Sequence, residues 1–253
     1  ARVFYITGTN ALVDGFTIAN GSISDGFGLG YGGGIWMYRG TVQNCIISGN
    51  SADGAGNNAG GGGGLRMDGG LLRNCLVASN LATTFRATAH GAGIYLVNGM
   101  VQNCTIVTNR SQGPYDAGYY STSRGGGVYR TGGSVTNTIV WYNIVRTNTG
   151  AGLSAPYADN ITGTNLWGYG CSPDLTHNPG GTGNRTNEPV FINRDGGDFH
   201  IAKTSVLVDV GINQEWMAGA TDLDRRRRLQ HFQVDIGAYE TAARSAGIMV
   251  FFR

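Results

Sequence analysis

Residues 32–50 read GGGIWMYRGTVQNCIISGN, and the chain returns to this pattern three more times. The openings recur as GGGLR at 62–66, GAGIY at 91–95 and GGGVY at 125–129. The closings recur as LRNCLVASN ending at Asn80, VQNCTIVTN ending at Asn109 and VTNTIVWYN ending at Asn143. From Gly34, Gly64, Gly93 and Gly127 it is ten residues to Asn44, Asn74, Asn103 and Asn137, and six more to the closing asparagine, every time. Only the segment between a closing asparagine and the next glycines varies in length. Counting back from Asn44 to Asp14 in VDGFTIAN gives steps of 30, 30, 29 and 34 residues, and a weaker copy, DNITGTN, lies at 159–165. A fixed period of this size marks a stacked repeat.

Within a unit the apolar residues alternate over short runs between glycine-containing corners, which is strand periodicity. A helical repeat of the same length would need ten or more residues at 3.6 spacing without three glycines per unit. One coil cannot bury its own apolar face, so coils must stack at the strand spacing of about 4.8 Å. The expected fold is all-β: a right-handed parallel β-helix of about six or more coils over 1–169, with an irregular closing segment of the same domain over 170–253. Stacking predicts two asparagine ladders, Asn44, Asn74, Asn103 and Asn137 at one turn and Asn50, Asn80, Asn109 and Asn143 at the next. In each, asparagine tolerates left-handed backbone and its amide bonds the next along the axis. Cys45, Cys75 and Cys104 share one place in consecutive coils and read as a column of inward free thiols, with Cys171 outside it.

Composition narrows the function classes. The 253 residues carry a formal net charge of +2 and 13% charged residues, too weak a field to draw nucleic acid or anionic lipid. The Arg225–Arg226–Arg227–Arg228 run is expected to be a solvated turn, offset by Asp222 and Asp224. No apolar stretch approaches the roughly 20 residues of a membrane-spanning helix, and no signal peptide opens the chain, whose first residues, ARVFYITGTN, already read as a strand. A mature or excised product is therefore expected. No cofactor is indicated. Cysteines without Cys-x-x-Cys spacing argue against a transition-metal site; Asp222, Asp224 and Asp235 offer oxygen ligands of the kind calcium takes, against the ordinary turn chemistry of aspartate before glycine.

In the last third, EPVFIN at 188–193, GDFHI at 197–201, SVLVDVG at 205–211 and VDIGAYE at 234–240 resemble the closing segment of bacterial choice-of-anchor Q domain proteins, right-handed β-helices of the pectin-lyase-like superfamily. With the coils, the resemblance covers nearly the whole chain. It implies a secreted or cell-surface bacterial protein, usually joined to an anchoring tail, and it implies no reaction. Two departures stand out: Val208 and Val210 replace small residues, and Arg225 stands where a turn glycine is usual.

Variable segments of a solenoid fall on one face, often the binding face. Here these are 21–31, 51–61, 81–90, 110–124 and 144–158, and Phe85, Tyr115, Tyr119, Tyr120, Arg124 and Tyr157 on them form the expected ligand-binding set. Aromatic faces beside arginine suit a polysaccharide or cell-surface glycan, through ring stacking and charged hydrogen bonds. Arg86, His90, Asp116 and Arg124 are the candidate acid/base cluster if two of these segments fold together. Asp53, Asp68 and Asp116 look isolated, not paired across coils as a glycoside hydrolase requires. A carbohydrate-binding or adhesive module, a polysaccharide lyase or hydrolase, and a structural subunit of an extracellular assembly all remain open. Because Val3, Phe4, Tyr5 and Ile6 enter strand structure at once, the first coil is expected to be covered by a preceding segment or a second subunit. The apolar run 248–252 is a candidate strand for head-to-tail self-association.

Overall fold

Each coil is built mainly from strands of three or four residues meeting at corners of two or three residues; in the second coil these strands are Ile35–Met37, Thr41–Gln43, Ile46–Ser48 and Ser51–Gly54. The computed structural model describes residues 1–25, 30–54, 59–84, 87–113, 120–163, 167–177, 181–230 and 232–242. Equivalent strands of successive coils pair in parallel without slipping, so that four sheets, numbered 1 to 4 in the order of these strands, run along the axis of a β-solenoid. The solenoid makes about five turns; a sixth contributes Ile161–Thr162 to sheet 1 and Trp167–Gly168 to sheet 2, and its Cys171 bridges Ile139 of sheet 3 in parallel. No helix among the described residues is long and apolar enough to cross a membrane.

Alternation decides what enters the core. In sheet 1 the outer two residues of each strand point inward, so that Ile35, Met37, Leu65, Met67, Ile94 and Leu96 are all fully buried. Sheets 2 and 3 turn their central residue inward, giving the columns Val42, Leu72, Val101 and Ile47, Val77, Ile106. Cys45, Cys75 and Cys104 lie in the same core as free thiols, and each Sγ contacts the carbonyl two residues back at 3.0–3.2 Å. Thr138 continues the column with the same bond, from Oγ1 to the Thr136 carbonyl at 2.9 Å.

The two asparagine ladders differ in construction. At the first corner Asn44, Asn74, Asn103 and Asn137 have φ of 53°, 55°, 48° and 49°, the left-handed conformation that asparagine tolerates. At the second corner the left-handed residue is the one before the asparagine: Gly49, Ser79, Thr108 and Tyr142. This frees the asparagine side chain to turn into the coil. Asn50, Asn80, Asn109 and Asn143 are essentially buried, and each donates its amide to the Oδ1 of the next, at 3.0, 3.0 and 2.9 Å, with Asn160 taking the last at 3.2 Å. Each Oδ1 also accepts the backbone N–H of the asparagine before it, at 2.9–3.0 Å for the first four steps. The third glycine of every opening packs on this ladder. A Cβ at Gly34, Gly64, Gly93 or Gly127 would lie 2.9, 2.9, 2.9 or 2.7 Å from the amide nitrogen of Asn50, Asn80, Asn109 or Asn143, closer than side-chain carbons approach.

Register corrects the sequence reading in two places. Asp14 pairs with Gln43, and Gly15, at φ 79°, occupies the corner of Asn44, so the first step is 29 residues. The copy proposed at 159–165 is no coil closing: Ile161 pairs with Val128, placing Asn160 opposite Gly127, from where its side chain terminates the second ladder. The variable segments are partly regular, since they open as the strands of sheet 4, among them Ser51–Gly54, Leu81–Thr84 and Arg110–Gln112.

The closing segment does two things. Residues 167–177 and 181–190 shut the end of the core: Trp167 and Leu175 join it, and the Asp174 carboxylate accepts the N–H groups of Asn160 and Ile161 at 2.8 Å each. Residues 191–230 and 232–242 lie along the outer face of sheet 3 as a strap. Phe199, Ala238 and Tyr239 pack on Leu76, Ala78 and Val107, while Ile201, Leu207, Val208 and Ile236 pack around Ile139 and Cys171. Asn137 clasps the strap by exchanging bonds with the backbone of Ile212, each 2.8 Å. The arginine run is not uniformly solvated. Arg225 holds the left-handed turn at φ 68°, whereas Arg228 is fully buried beneath the strap, 3.2 Å from Glu240 and bonded to the Gly237 carbonyl. Burial pushes the Glu240 carboxyl up against the pull of Arg228. The apolar run 248–252 lies outside the described residues.

Because the Asn109 side chain accepts two bonds and shares its two amide protons among three oxygens inside the core, truncating it strands several buried polar groups. Asn109→Ala should lower unfolding free energy by about 2–4 kcal/mol, read from urea denaturation midpoints at unchanged m. Asn109→Asp should cost at least as much, since it removes every donor and adds a buried charge.

Candidate functional site

The outward position of sheet 1 carries the row Tyr5, Trp36, Arg66, Tyr95 and Tyr129, one residue per coil in direct register. At about 4.8 Å per coil these side chains span roughly 19 Å along the axis. Trp36, Arg66, Tyr95 and Tyr129 are the fifth residues of the glycine openings, and strand alternation forces the row out because the residues on either side face the core. Tyr31 and Tyr38 flank the row.

The row is packed as a unit. Trp36 and Tyr38 stack with ring centroids 5.5 Å apart at 20°, and Tyr5 meets both edge-on at 5.7 and 5.8 Å. The Arg66 guanidinium lies 4.2 Å from the centroid of Tyr31, 5.0 Å from Trp36 and 5.2 Å from Tyr95, and that of Arg2 lies 4.7 Å from Trp36. Asp68 fixes the centre: it grips Arg66 through Nε at 3.1 Å and Nη2 at 2.8 Å and accepts the Trp36 indole N–H at 2.5 Å. A two-point carboxylate grip sets the guanidinium plane, so the aromatic faces are held in place before any ligand arrives. Asp68 is thus committed to this face.

Beside the row runs a second, shorter one. Gly61, His90 and Arg124 pair in register, and the His90 ring lies 4.1 Å from that of Tyr129. Burial, aided by Arg124, lowers the His90 pKa to about 4, so the ring is neutral at ordinary pH. Next along, the Asp159 carboxylate accepts the Gly125 N–H at 3.1 Å, and burial raises its pKa to about 6, with Asp174 adding to the rise and Arg124 opposing it. Tyr157 is 46% exposed and feels both Asp159 and Arg124.

No family model matches this chain, and it matches no curated protein and no solved structure.

Of the residues expected from sequence to bind ligand, Arg124 and Tyr157 gather at the Tyr129 end of this face. Phe85, Tyr115 and Tyr119 lie outside the described residues; Tyr120 enters the short strand Tyr120–Ser121, paired antiparallel with Asn148–Thr149. Of the acid/base candidates, His90 and Arg124 are register neighbours, while Arg86 and Asp116 lie outside the described residues. His90, neutral and weakly basic, beside a permanently charged arginine makes a poor proton-transfer pair. The titrating group near them is Asp159, which sequence reading passed over because its neighbours come from other coils. Four members of the aromatic row recur as the fifth residue of each opening, a position that the repeat alone does not mark as a surface. Of the aspartates weighed for calcium, Asp222 accepts the N–H groups of Asp224, Arg226 and Glu240, Asp235 accepts those of Asp209 and Thr241, and Asp224 faces His200 and Arg226. Among the described residues no set of three His, Cys, Asp or Glu is placed to hold a metal.

Since the folded His90 resists protonation, it subtracts stability as pH falls from the free imidazole value of about 6.5 through its own. Side-chain nitrogen NMR should find His90 uncharged at pH 5.5, titrating near 4. His90→Gln should flatten the acid side of the stability profile over that interval.

Proposed function

We propose that the protein is a carbohydrate-binding β-solenoid that lays a glycan chain along the outer face of sheet 1. The observation that carries this reading is the unbroken row Tyr5, Trp36, Arg66, Tyr95 and Tyr129, with Trp36 and Arg66 both anchored on Asp68. Sugar rings present apolar C–H faces and a rim of hydroxyls. Flat aromatic groups take the faces, and the guanidinium, carboxylate and phenol groups between them take the hydroxyls. Arg124, Tyr157 and Asp159 extend the polar rim at one end. A row in fixed register also suits an extended chain better than a single sugar, because each coil repeats the contact one strand spacing further on.

The setting proposed for this activity is the outside of a bacterial cell, secreted or surface-attached. Its support is the resemblance of EPVFIN, GDFHI, SVLVDVG and VDIGAYE to the closing segment of choice-of-anchor Q proteins of the pectin-lyase-like superfamily. Adhesion through surface glycans is the corresponding cellular role.

Affinity electrophoresis in gels cast with soluble polysaccharides, followed by calorimetry on any that retard the protein, tests the reading. Trp36→Ala and Tyr95→Ala should each weaken binding by about tenfold, the effect of losing one stacked ring and its fixed neighbour, or about 1.4 kcal/mol. Phe232→Ala, at an exposed position in the strap, should leave binding unchanged. Retention by no polysaccharide, or undiminished binding by both row variants, overturns the proposal.

A further inference from the structure

The strap contains one histidine held between two carboxylates from different segments. His200 lies on the strand Asp198–Ile201, which forms a hairpin with Phe191–Asn193. Its Nδ1 is 2.5 Å from Asp198 Oδ1 on the same strand, and its Nε2 is 2.6 Å from Asp224 Oδ2 on the 222–228 turn. Its ring lies 4.0 Å, centroid to centroid, from Tyr239. A neutral imidazole has one N–H and can donate to one carboxylate only; facing two at these distances, it needs both ring protons. We propose that His200 is a proton-operated latch, joining the 191–201 hairpin to the 222–241 part of the strap when it is an imidazolium and releasing that joint when it loses the proton.

The surroundings favour this role. Asp224 is fixed independently of His200: its own N–H is held by Asp222 Oδ1 at 2.9 Å, Leu223 N–H bonds the Ala238 carbonyl at 3.2 Å, and the Asp222 Oδ2 accepts the Glu240 N–H at 2.8 Å. The turn is therefore a rigid acceptor onto which the hairpin fastens. Lys203, Arg226, Tyr239 and Glu240 line the same hollow of about 340 Å³, with Arg226 3.6 Å from Asp224. That arginine shares the Asp224 charge without displacing the imidazole. On His200 itself, burial opposes protonation, and the bonds to Asp198 and Asp224 outweigh it, raising the pKa above the ordinary value. Asp198 is lowered in turn, burial again opposing and His200 prevailing. A histidine with a raised folded pKa contributes stability that is fully present below about pH 6.5 and is lost as pH rises through the folded value. Asp198 sets the acid limit: its contribution is lost as pH falls below the ordinary carboxylate range.

Beneath the joint lie Leu76, Ala78 and Val107 of sheet 3, which the strap keeps from water. Release thus loosens the cover over an apolar flank while the coils and their ladders stay paired.

Two measurements on the 253-residue chain decide the matter. Side-chain nitrogen NMR at pH 6 should show both His200 nitrogens protonated, with a titration above 6.5 that moves down in Asp224→Asn. Hydrogen exchange, corrected for intrinsic rate, should show amides of 198–202 and 222–228 losing protection as pH rises through that titration, by up to roughly tenfold for each pKa unit separating folded from free imidazole. Amides of the coil strands should not respond, and in His200→Gln the pH dependence of the strap amides should vanish. A single neutral tautomer at pH 6, or an unchanged pH response in His200→Gln, overturns the latch. If His200→Gln does not fold, Asp224→Asn carries the same exchange test.

Discussion

The buried amide ladder is the constraint on which the rest of the solenoid depends. Asn50, Asn80, Asn109, Asn143 and Asn160 sit where a corner would otherwise leave backbone groups unpaired in the core, and their side chains supply both the donors and the acceptors. Such a ladder tolerates no slippage, because an amide displaced by one residue meets no partner. It therefore locks the register of all four sheets at once, and through register it dictates which residue of each strand faces water. The glycine facing each amide is the steric counterpart of the same constraint. Asparagine and glycine recur together sixteen residues apart because they touch between segments, not along the chain.

Register in turn makes the candidate site. A single aromatic residue on a three-residue strand is unremarkable; five planar groups in line become a surface only because coils do not drift relative to one another. The Arg66–Asp68 pair shows how the centre of the row is held in place. A guanidinium among three rings could swing out into solvent, and the two-point grip of Asp68 prevents it while also orienting Trp36. The pair is largely shielded, with side-chain exposures of 16% and 15%, so water screens it less than an ordinary surface ion pair.

The strap has a different logic. Sheet 3 is covered on its outer side by a segment with little regular structure, held by packing, by asparagine side chains left over from the first ladder, and by buried or half-buried charges such as Arg228, Glu240 and His200. Those charged contacts respond to pH and the amide ladder does not. The molecule thus joins coils whose register rests on amides that do not titrate to a cover whose fastening includes groups that do.

The repeat, the parallel stacking, the inward columns and both ladders were legible in the sequence, because each depends on a period that residue spacing records directly. The two-sided burial of sheet 3 left a trace as well: Leu76–Val77–Ala78, Thr105–Ile106–Val107 and Ile139–Val140–Trp141 are nearly continuous apolar runs, as strands covered on both faces are. That trace does not say what the cover is. The strap, the burial of Arg228 within an arginine run, and the meeting of His200 with Asp224 join residues distant in sequence without any period, and only folding brings them together. The corner positions in the first coil slipped by one residue for a related reason: Asp14 resembles an asparagine chemically, yet it is the backbone freedom of Gly15 that fills the left-handed corner. Spacing therefore determined the solenoid, while contacts between non-repeating segments, decided by packing and charge in three dimensions, determined its cover and the chemistry beside its aromatic face.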